Sequence, residues 1–294
     1  MTTAVSDLYE PLIERDPAAI RTAIRRFRQQ QSSDELFLAI ARFAVLAYAP
    51  SQHAKHSVLS VLSAHDLRED LGERFDEVLI ECAIYAANSR QPWSEPPIMD
   101  PPSPHGAPGD LRVAVVNRDR MAAERWLAKR LDDPDLRREL IAIASEDLED
   151  LGHKVIIANA AWRLAEILGE KGRFVALRMA VWEMVSYAGP PSVPGPLSKD
   201  VLDGLIARCV AGNGSIESAH AVFLFDALSG GEQSVPGDPP PVYRLARDYG
   251  QCLKAHAVAK RLRRRYPEAH VDDFIAAVRR NLETGPSYEE WTFA

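Results

Sequence analysis

Helical periodicity of the apolar residues, present along nearly the whole chain, is the feature that most restricts the fold. Apolar side chains recur every three or four residues, and no convincing alternation of apolar and polar residues indicates a strand. The clearest segment opens at Ser33-Asp34-Glu35 and is apolar almost throughout, so burial on several sides is expected. Its apolar stripe consists of Leu36, Ile40, Phe43, Ala44 and Ala47. The pattern predicts an all-α fold, a multi-helix bundle or array with long proline-rich loops.

Prolines mark where helices begin and where they cannot continue. Asp16-Pro17 opens one helix, because proline at the first helical position loses no hydrogen bond that the helix needs. Further helices are predicted over 51–67, 73–89, 117–131, 134–149, 151–169, 172–187, 197–211, 216–229, 242–265 and 271–283. Proline-rich loops are predicted over 91–109, 189–196 and 230–241. We predict a single domain over 1–294, with 91–109 as the place where a sub-boundary could fall, and this loop is either a lid or a linker.

Charge and composition restrict the class of partner. The net charge of −7 argues against a nucleic-acid or membrane-surface partner. The apolar run over 36–49 is interrupted by Arg42 and is too short for a membrane span. The first residues lack the pattern of a signal peptide, and the three cysteines, Cys82, Cys209 and Cys252, are too far apart to indicate a disulfide framework. We therefore expect a cytoplasmic protein whose partner is a small molecule, with its oligomeric state open.

Four of the eight histidines share one local context, in which a small or basic residue precedes the histidine and valine follows two positions later. These histidines are His56, His153, His220 and His256, and intervals of 97, 67 and 36 residues separate them. The apolar residues that follow these histidines favour inward-facing rings, least clearly for His256, which Lys260, Arg261 and Arg263 soon follow. Imidazole binds transition metals and transfers protons near neutral pH, so four converging rings would form a reactive site.

Carboxylates accompany two of these histidines at helical spacing. Glu217 precedes His220 by three residues, and Asp150 precedes His153 by three. Di-iron helical bundles use the Glu-x-x-His spacing to present a carboxylate and an imidazole together. Glu217 and Asp150 are therefore candidate extra ligands or groups that orient the rings. With carboxylates in the set, iron is the first choice of metal ion, and manganese, copper or zinc are alternatives.

Other interpretations of the histidines remain open. A lone histidine on an amphipathic helix is more often a hydrogen-bonded structural residue than a ligand. Without a metal, converging rings could act as general acids and bases. The chain could also be a non-catalytic helical scaffold, or a module that holds a small molecule or haem between helices. Geometry discriminates these cases, because a scaffold would leave the four rings scattered and satisfied locally.

The histidine segments resemble those of the questin oxidase-like family. Gln52-His53-Ala54-Lys55-His56-Ser57-Val58 is similar to the early histidine helix of that family. The segments around His220 and His256 resemble its later His-Ala-Val segment and its final histidine helix, and the segment at His153 would stand for the middle histidine. The resemblance implies an all-helical oxidase of secondary metabolism that acts on aromatic polyketides, including oxygen-dependent ring cleavage of anthraquinones, with these four histidines as its site residues.

Related helical regions also occur fused to Rieske iron–sulfur domains. This chain has no Cys-x-His pair to ligate such a cluster. An electron-transfer partner would therefore be a separate protein, and the external reductant is open. The hypothesis from the sequence is a metal-dependent oxidase or oxygenase with a four-histidine site between helices.

Overall fold

The computed structural model describes residues 3–50, 52–66, 68–89, 100–146 and 153–186. These residues are 81% helical and contain no strand, which confirms the predicted all-α fold. A 3₁₀ turn at Gly72–Arg74 connects two of the helices. The α-helices are α1 (Thr3–Glu14), α2 (Pro17–Arg28), α3 (Ser33–Leu46), α4 (Gln52–Asp66), α5 (Arg68–Leu71), α6 (Phe75–Ser89), α7 (Leu111–Asn117), α8 (Arg120–Arg130), α9 (Leu136–Ser145), α10 (His153–Leu168) and α11 (Glu170–Ser186).

Local side chains fix the starts of α2 and α3. The Asp16 carboxylate accepts the backbone N–H groups of Ala18 and Ala19 at 2.9 and 3.1 Å, directly before Pro17. At α3 the Ser32 hydroxyl accepts the N–H of Glu35, and the Glu35 carboxylate accepts the N–H of Ser32. This reciprocal capping box satisfies two backbone donors that have no partner within the helix.

Three described α-helices, α1, α5 and α7, lie wholly or almost wholly outside the predicted ranges. Helix α1 contains Pro11, and proline inside a helix interrupts the pattern by which the others are predicted. Helix α7 lies just before the helix predicted over 117–131, which begins at Arg120 instead. The chain turns there because Arg118 has a left-handed φ of 53°, and the Asp119 side chain then accepts the N–H of Ala122. The helices predicted over 197–211, 216–229, 242–265 and 271–283 lie outside the described residues.

Helix α3 lies at the centre of the packed helices. It contacts α2, α4, α6, α10 and α11, and nine of its 14 residues are buried. The predicted stripe from Leu36 to Ala47 is buried, and so are neighbours such as Phe37 and Ala41, which face other sides. The expectation of burial on several sides is therefore confirmed for this helix.

Helices α10 and α11 form a closely packed antiparallel hairpin. Gly169 turns the chain with a left-handed φ of 66°, and its N–H donates to the carbonyl of Ala165 at 3.1 Å. A Cβ atom on Gly172 would lie 2.5 Å from the Cβ atom of Leu168, so this position has no room for a side chain. The hairpin brings the start of α10 beside the last turns of α11.

None of the helices in the described ranges is long and apolar enough to cross a membrane. Helix α11, the longest of them, has 17 residues, whereas a bilayer core needs about 20 apolar residues.

Candidate functional site

Two of the predicted site residues meet in the interior. His56 lies in the second turn of α4 and His153 is the first residue of α10. Their ring centroids are 5.7 Å apart, with an angle of 35° between the ring planes. Only 6% of His56 and 7% of His153 is exposed. Packing of α4 against α10 thus joins residues that are 97 positions apart in the chain, and we call them the histidine pair.

The remaining predicted site residues cannot be placed beside this pair. His220, His256, Glu217 and Asp150 lie outside the residues that the structure describes. Their proposed roles as ligands or orienting groups stay predictions.

A buried carboxylate lies at the same end of the packed helices. Glu183, in the last turn of α11, is fully buried, and its Oε1 atom is 2.7 Å from the Nζ atom of Lys55 on α4. The hydroxyl of Tyr48, just after α3, donates to the Oε2 atom of Glu183. Tyr48, Lys55 and Glu183, here named the Glu183 network, connect three helices beside His56.

Polar side chains are concentrated in this part of the interior. Of the nine buried polar or charged residues in the described ranges, seven lie on α4 or in the first two positions of α10. They are Lys55, His56, Ser57, Ser60, Ser63, His153 and Lys154. Because a buried polar group without a partner is costly, such a cluster indicates either a hydrogen-bonded network or a site for chemistry.

Hydrogen bonding restrains the backbone that carries His56. The Ser60 hydroxyl donates to the carbonyl oxygen of His56 at 2.7 Å, one turn earlier in α4. Serine bonds of this kind modify the local helix, because they add a second donor to a carbonyl already used by the helix. The position of His56 therefore depends on more than the regular helical hydrogen bonds.

Arg178, another buried charged residue of α11, belongs to a different region. Its guanidinium lies 4.4 Å from the ring centroid of Trp182, and the Trp182 indole donates to Glu124 of α8 at 2.6 Å. Burial lowers the pKa of Arg178, and the nearby Glu124 carboxylate partly opposes this. These contacts place Arg178 on the side of α11 that faces α8.

The separation of the two histidine rings is of the size that one shared metal ion would require. Two imidazoles bound to one ion at about 2.0–2.1 Å would have centroids about 5 Å apart, close to the observed 5.7 Å. The described residues contain no group of three or more His, Cys, Asp or Glu side chains arranged to hold a metal ion. Any further ligands would therefore have to come from outside these residues, and His220, His256, Glu217 and Asp150 are the predicted ones.

The sequence predictions missed the Glu183 network and Lys154. A signal for Glu183 exists, since this acid stands within an apolar segment that includes Val181, Met184 and Val185. A lysine beside each histidine, at positions 55 and 154, is a second signal. Charged residues inside apolar helix segments are rarely buried unless they are paired. Each such residue in the sequence therefore indicates that a partner exists, without identifying it.

Comparison of the chain with family models, with curated proteins and with solved structures finds no match. The resemblance of the histidine segments to the questin oxidase-like family therefore stays a prediction.

Proposed function

We propose that this chain is a metal-dependent oxidoreductase of the oxidase or oxygenase type, with its site where α4 meets α10. The observation that carries the proposal is the buried contact between His56 and His153 across 97 residues of chain. Two buried, helix-borne imidazoles that converge supply nitrogen ligands of the kind that iron, manganese, copper and zinc accept. The substrate class is an aromatic or polyketide-like small molecule of secondary metabolism.

Buried apolar residues follow both histidines in the sequence, which supports an apolar substrate. Val58 and Leu59 follow His56, Val155 and Ile156 follow His153, and all four are buried. Small-molecule sites are commonly lined by apolar side chains with a few polar groups that fix orientation. In this site the imidazoles would bind the ion, and the apolar neighbours would exclude water and contact the substrate.

A bound iron ion would supply the redox chemistry, and electrons would come from an external reductant or a separate electron-transfer protein. The chain's own contribution is to hold the two rings at a fixed separation. His220, His256, Glu217 and Asp150 are the proposed additional ligands or orienting groups.

Metal-free acid–base catalysis is a second candidate, favoured by the buried Lys55, Glu183 and Tyr48 side chains near the histidine pair. Lysine, glutamate, tyrosine and histidine can all transfer protons when an active site holds them in position. This candidate keeps the same site and requires no metal.

Metal analysis of the full chain, purified without a histidine tag, tests the proposal. We expect iron or another transition metal in the wild-type protein, and loss of that metal in His56→Gln and in His153→Gln. His105→Gln is the matched control, because His105 is an exposed loop histidine and its loss should leave metal content unchanged.

Three other outcomes would contradict the metal proposal. A metal-free protein that cannot be reconstituted leaves the acid–base candidate. A haem absorbance spectrum would indicate a haem-binding module. Equal metal content in the His56, His153 and His105 variants would place the metal elsewhere.

A further inference from the structure

Glu183 connects helices that the chain brings together from distant positions. Its two carboxylate oxygens receive the Tyr48 hydroxyl and the Lys55 ammonium, from residues 135 and 128 positions earlier in the chain. Glu183 and Lys55 have side-chain exposures of 0% and 2%. The carboxylate therefore fixes α4 relative to α11, and the end of α3 relative to both.

Stability alone does not explain a buried ion pair at this position. Removal of two charges from water has a large free-energy cost, and well-packed apolar residues of similar size often stabilise a protein equally well or better. Most of the buried side chains on α3, α10 and α11 are apolar. What the ion pair adds is a directional contact with one preferred geometry, which apolar packing lacks.

That direction bears on His56, the residue next to Lys55. Successive residues of an α-helix are rotated by about 100° around its axis. When Glu183 fixes the direction of Lys55, it also fixes the rotation of α4 and therefore the direction in which His56 projects. The Ser60 hydroxyl on the His56 carbonyl restrains the same turn.

We propose that Glu183 is a positioning residue, which sets the His56 ring opposite the His153 ring through its ion pair with Lys55. Tyr48 assists by holding the second carboxylate oxygen. The inference rests on the proposed function in one respect, that the histidine pair is the functional site. The positioning itself concerns only the relative placement of the two rings.

Nuclear Overhauser effects between ring protons test this geometry directly. Spectra are recorded on the full chain with labelled histidine and phenylalanine. A second set is recorded after any bound metal has been replaced by Zn²⁺, because a diamagnetic ion does not broaden the ring signals. His56→Gln and His153→Gln assign the ring signals. The wild-type protein should show a cross-peak between the two histidine rings, whose centroids are 5.7 Å apart.

An internal control reports whether α4 and α3 remain packed. The rings of Phe37 and His65 are stacked at 4.6 Å between centroids, at the other end of α4. Their cross-peak should persist in every informative variant. A variant that loses both cross-peaks has lost the packing of α4 as a whole.

Four variants separate positioning from general packing. Glu183→Gln and Lys55→Met should lose the His56–His153 cross-peak and keep that of Phe37–His65. Lys55→Arg retains the charge and should retain both cross-peaks. Asp76→Asn, which removes the partly exposed ion pair between Arg28 and Asp76, is the matched control and should also retain both.

An unchanged His56–His153 cross-peak in folded Glu183→Gln or Lys55→Met overturns the positioning role. Should both variants lose the control cross-peak, Tyr48→Phe decides, because it removes one hydrogen bond and preserves shape. A weakened histidine cross-peak in that variant supports the proposal, and full intensity overturns it.

The outcome for the proposed function is separate. Wild-type protein that is metal-free, cannot be reconstituted and has a histidine cross-peak that depends on Glu183 removes the metal proposal and keeps the positioning role. Metal-bound protein whose histidine cross-peak is independent of Glu183 keeps the metal proposal and removes the positioning role.

Discussion

Tyr9 in the core and the half-buried His65 carry groups whose ionisation is affected by burial. The Tyr9 hydroxyl donates to the Ala39 carbonyl at 3.0 Å, and its ring meets Phe43 edge-on. The His65 ring stacks on Phe37, and its buried Nδ1 atom has no hydrogen-bond partner among the described residues. In each case folding changes the proton affinity, so the stability of the protein must depend on pH.

Tyr9 should weaken the fold at alkaline pH. Burial raises the pKa of Tyr9 to about 12, and the nearby Arg42 charge partly opposes this. Because the unfolded chain loses this proton near pH 10, the stabilisation is complete below pH 10 and is lost as the pH rises toward 12. The loss should reach about 2–3 kcal/mol in the free energy of unfolding. Urea titrations across this range should show a smaller decrease in Tyr9→Phe, and an identical decrease would contradict the assignment.

His65 should weaken the fold at acidic pH. Burial lowers the pKa of His65, as do the charges of Arg163 and Arg68, while Asp66 and Asp34 oppose the shift. The unfolded chain therefore takes up this proton more readily, and the stabilisation present above about pH 6.5 is lost as the pH falls. His65→Gln should show a flatter dependence of the unfolding free energy between pH 7 and pH 5. A slope equal to that of the wild-type protein would exclude His65 as the cause.

The helices are held together both by apolar packing and by two kinds of ion pair. The Lys55–Glu183 pair joins α4 to α11 in the interior. The Arg28–Asp76 pair joins α2 to α6, with 29% and 32% of its side chains exposed. Burial decides how much each pair contributes to stability. Water screens the charges of an exposed pair, whereas each charge of a buried pair depends on the other.

A double-mutant cycle on Lys55 and Glu183 should show strong coupling. Lys55→Met or Glu183→Leu alone removes one member of the buried ion pair and should lower the unfolding free energy by about 3–5 kcal/mol. The double variant should recover most of this loss, because neither charge remains. The same cycle on Arg28 and Asp76 should give a coupling free energy of about 0–1 kcal/mol. Additive effects at the buried pair would show that the two residues do not depend on each other.

The α10–α11 hairpin should be sensitive to a single methyl group. Gly172→Ala would place its Cβ 2.5 Å from that of Leu168, so the two helices must shift apart. We expect a loss of about 1–3 kcal/mol in the unfolding free energy, as for overpacked cores. Gly109→Ala is the control, since a Cβ atom there meets nothing within 4 Å. Thermal denaturation of both variants measures the difference, and equal melting temperatures would contradict the close approach.

The molecule as a whole joins distant parts of the chain at one end of its packed helices, where the histidine pair lies. A metal held there would bind the native protein and not the unfolded chain, which lacks the convergence. Binding of that kind raises the stability of the native state in proportion to the logarithm of the free metal concentration. The change in unfolding free energy on metal removal therefore reports on the entire fold.

Removal of metal should lower the melting temperature. At a free metal concentration of 100 times the dissociation constant, the bound ion contributes about 2.7 kcal/mol to the unfolding free energy. A chelator should therefore destabilise the wild-type protein and the His105→Gln control, and should have no effect on His56→Gln. Equal effects of the chelator on all three proteins would indicate that the stabilising ion does not bind at the histidine pair.

Local sequence decided most of the described helices and the sides on which α3 is buried. Periodicity predicted α3 and its buried stripe, and Asp16-Pro17 marked the start of α2, because backbone hydrogen bonds and caps depend on residues within one or two turns. Pro11 within α1 and the left-handed Arg118 before α8 show the limit of such patterns. Pro11 suggests a break in a segment that the structure shows as one helix. The segment from residue 117 suggests one continuous helix, which in the structure begins only at Arg120, after the turn at Arg118.

Tertiary packing alone decided which side chains meet. The histidine segments identified His56 and His153 as candidates, yet nothing within either segment fixes the distance between two rings that are 97 residues apart. Glu183 was not predicted, because its partners Tyr48 and Lys55 lie more than 120 residues earlier in the chain. A buried charge signals that a partner exists, but the identity of that partner depends on how α3, α4 and α11 pack against one another.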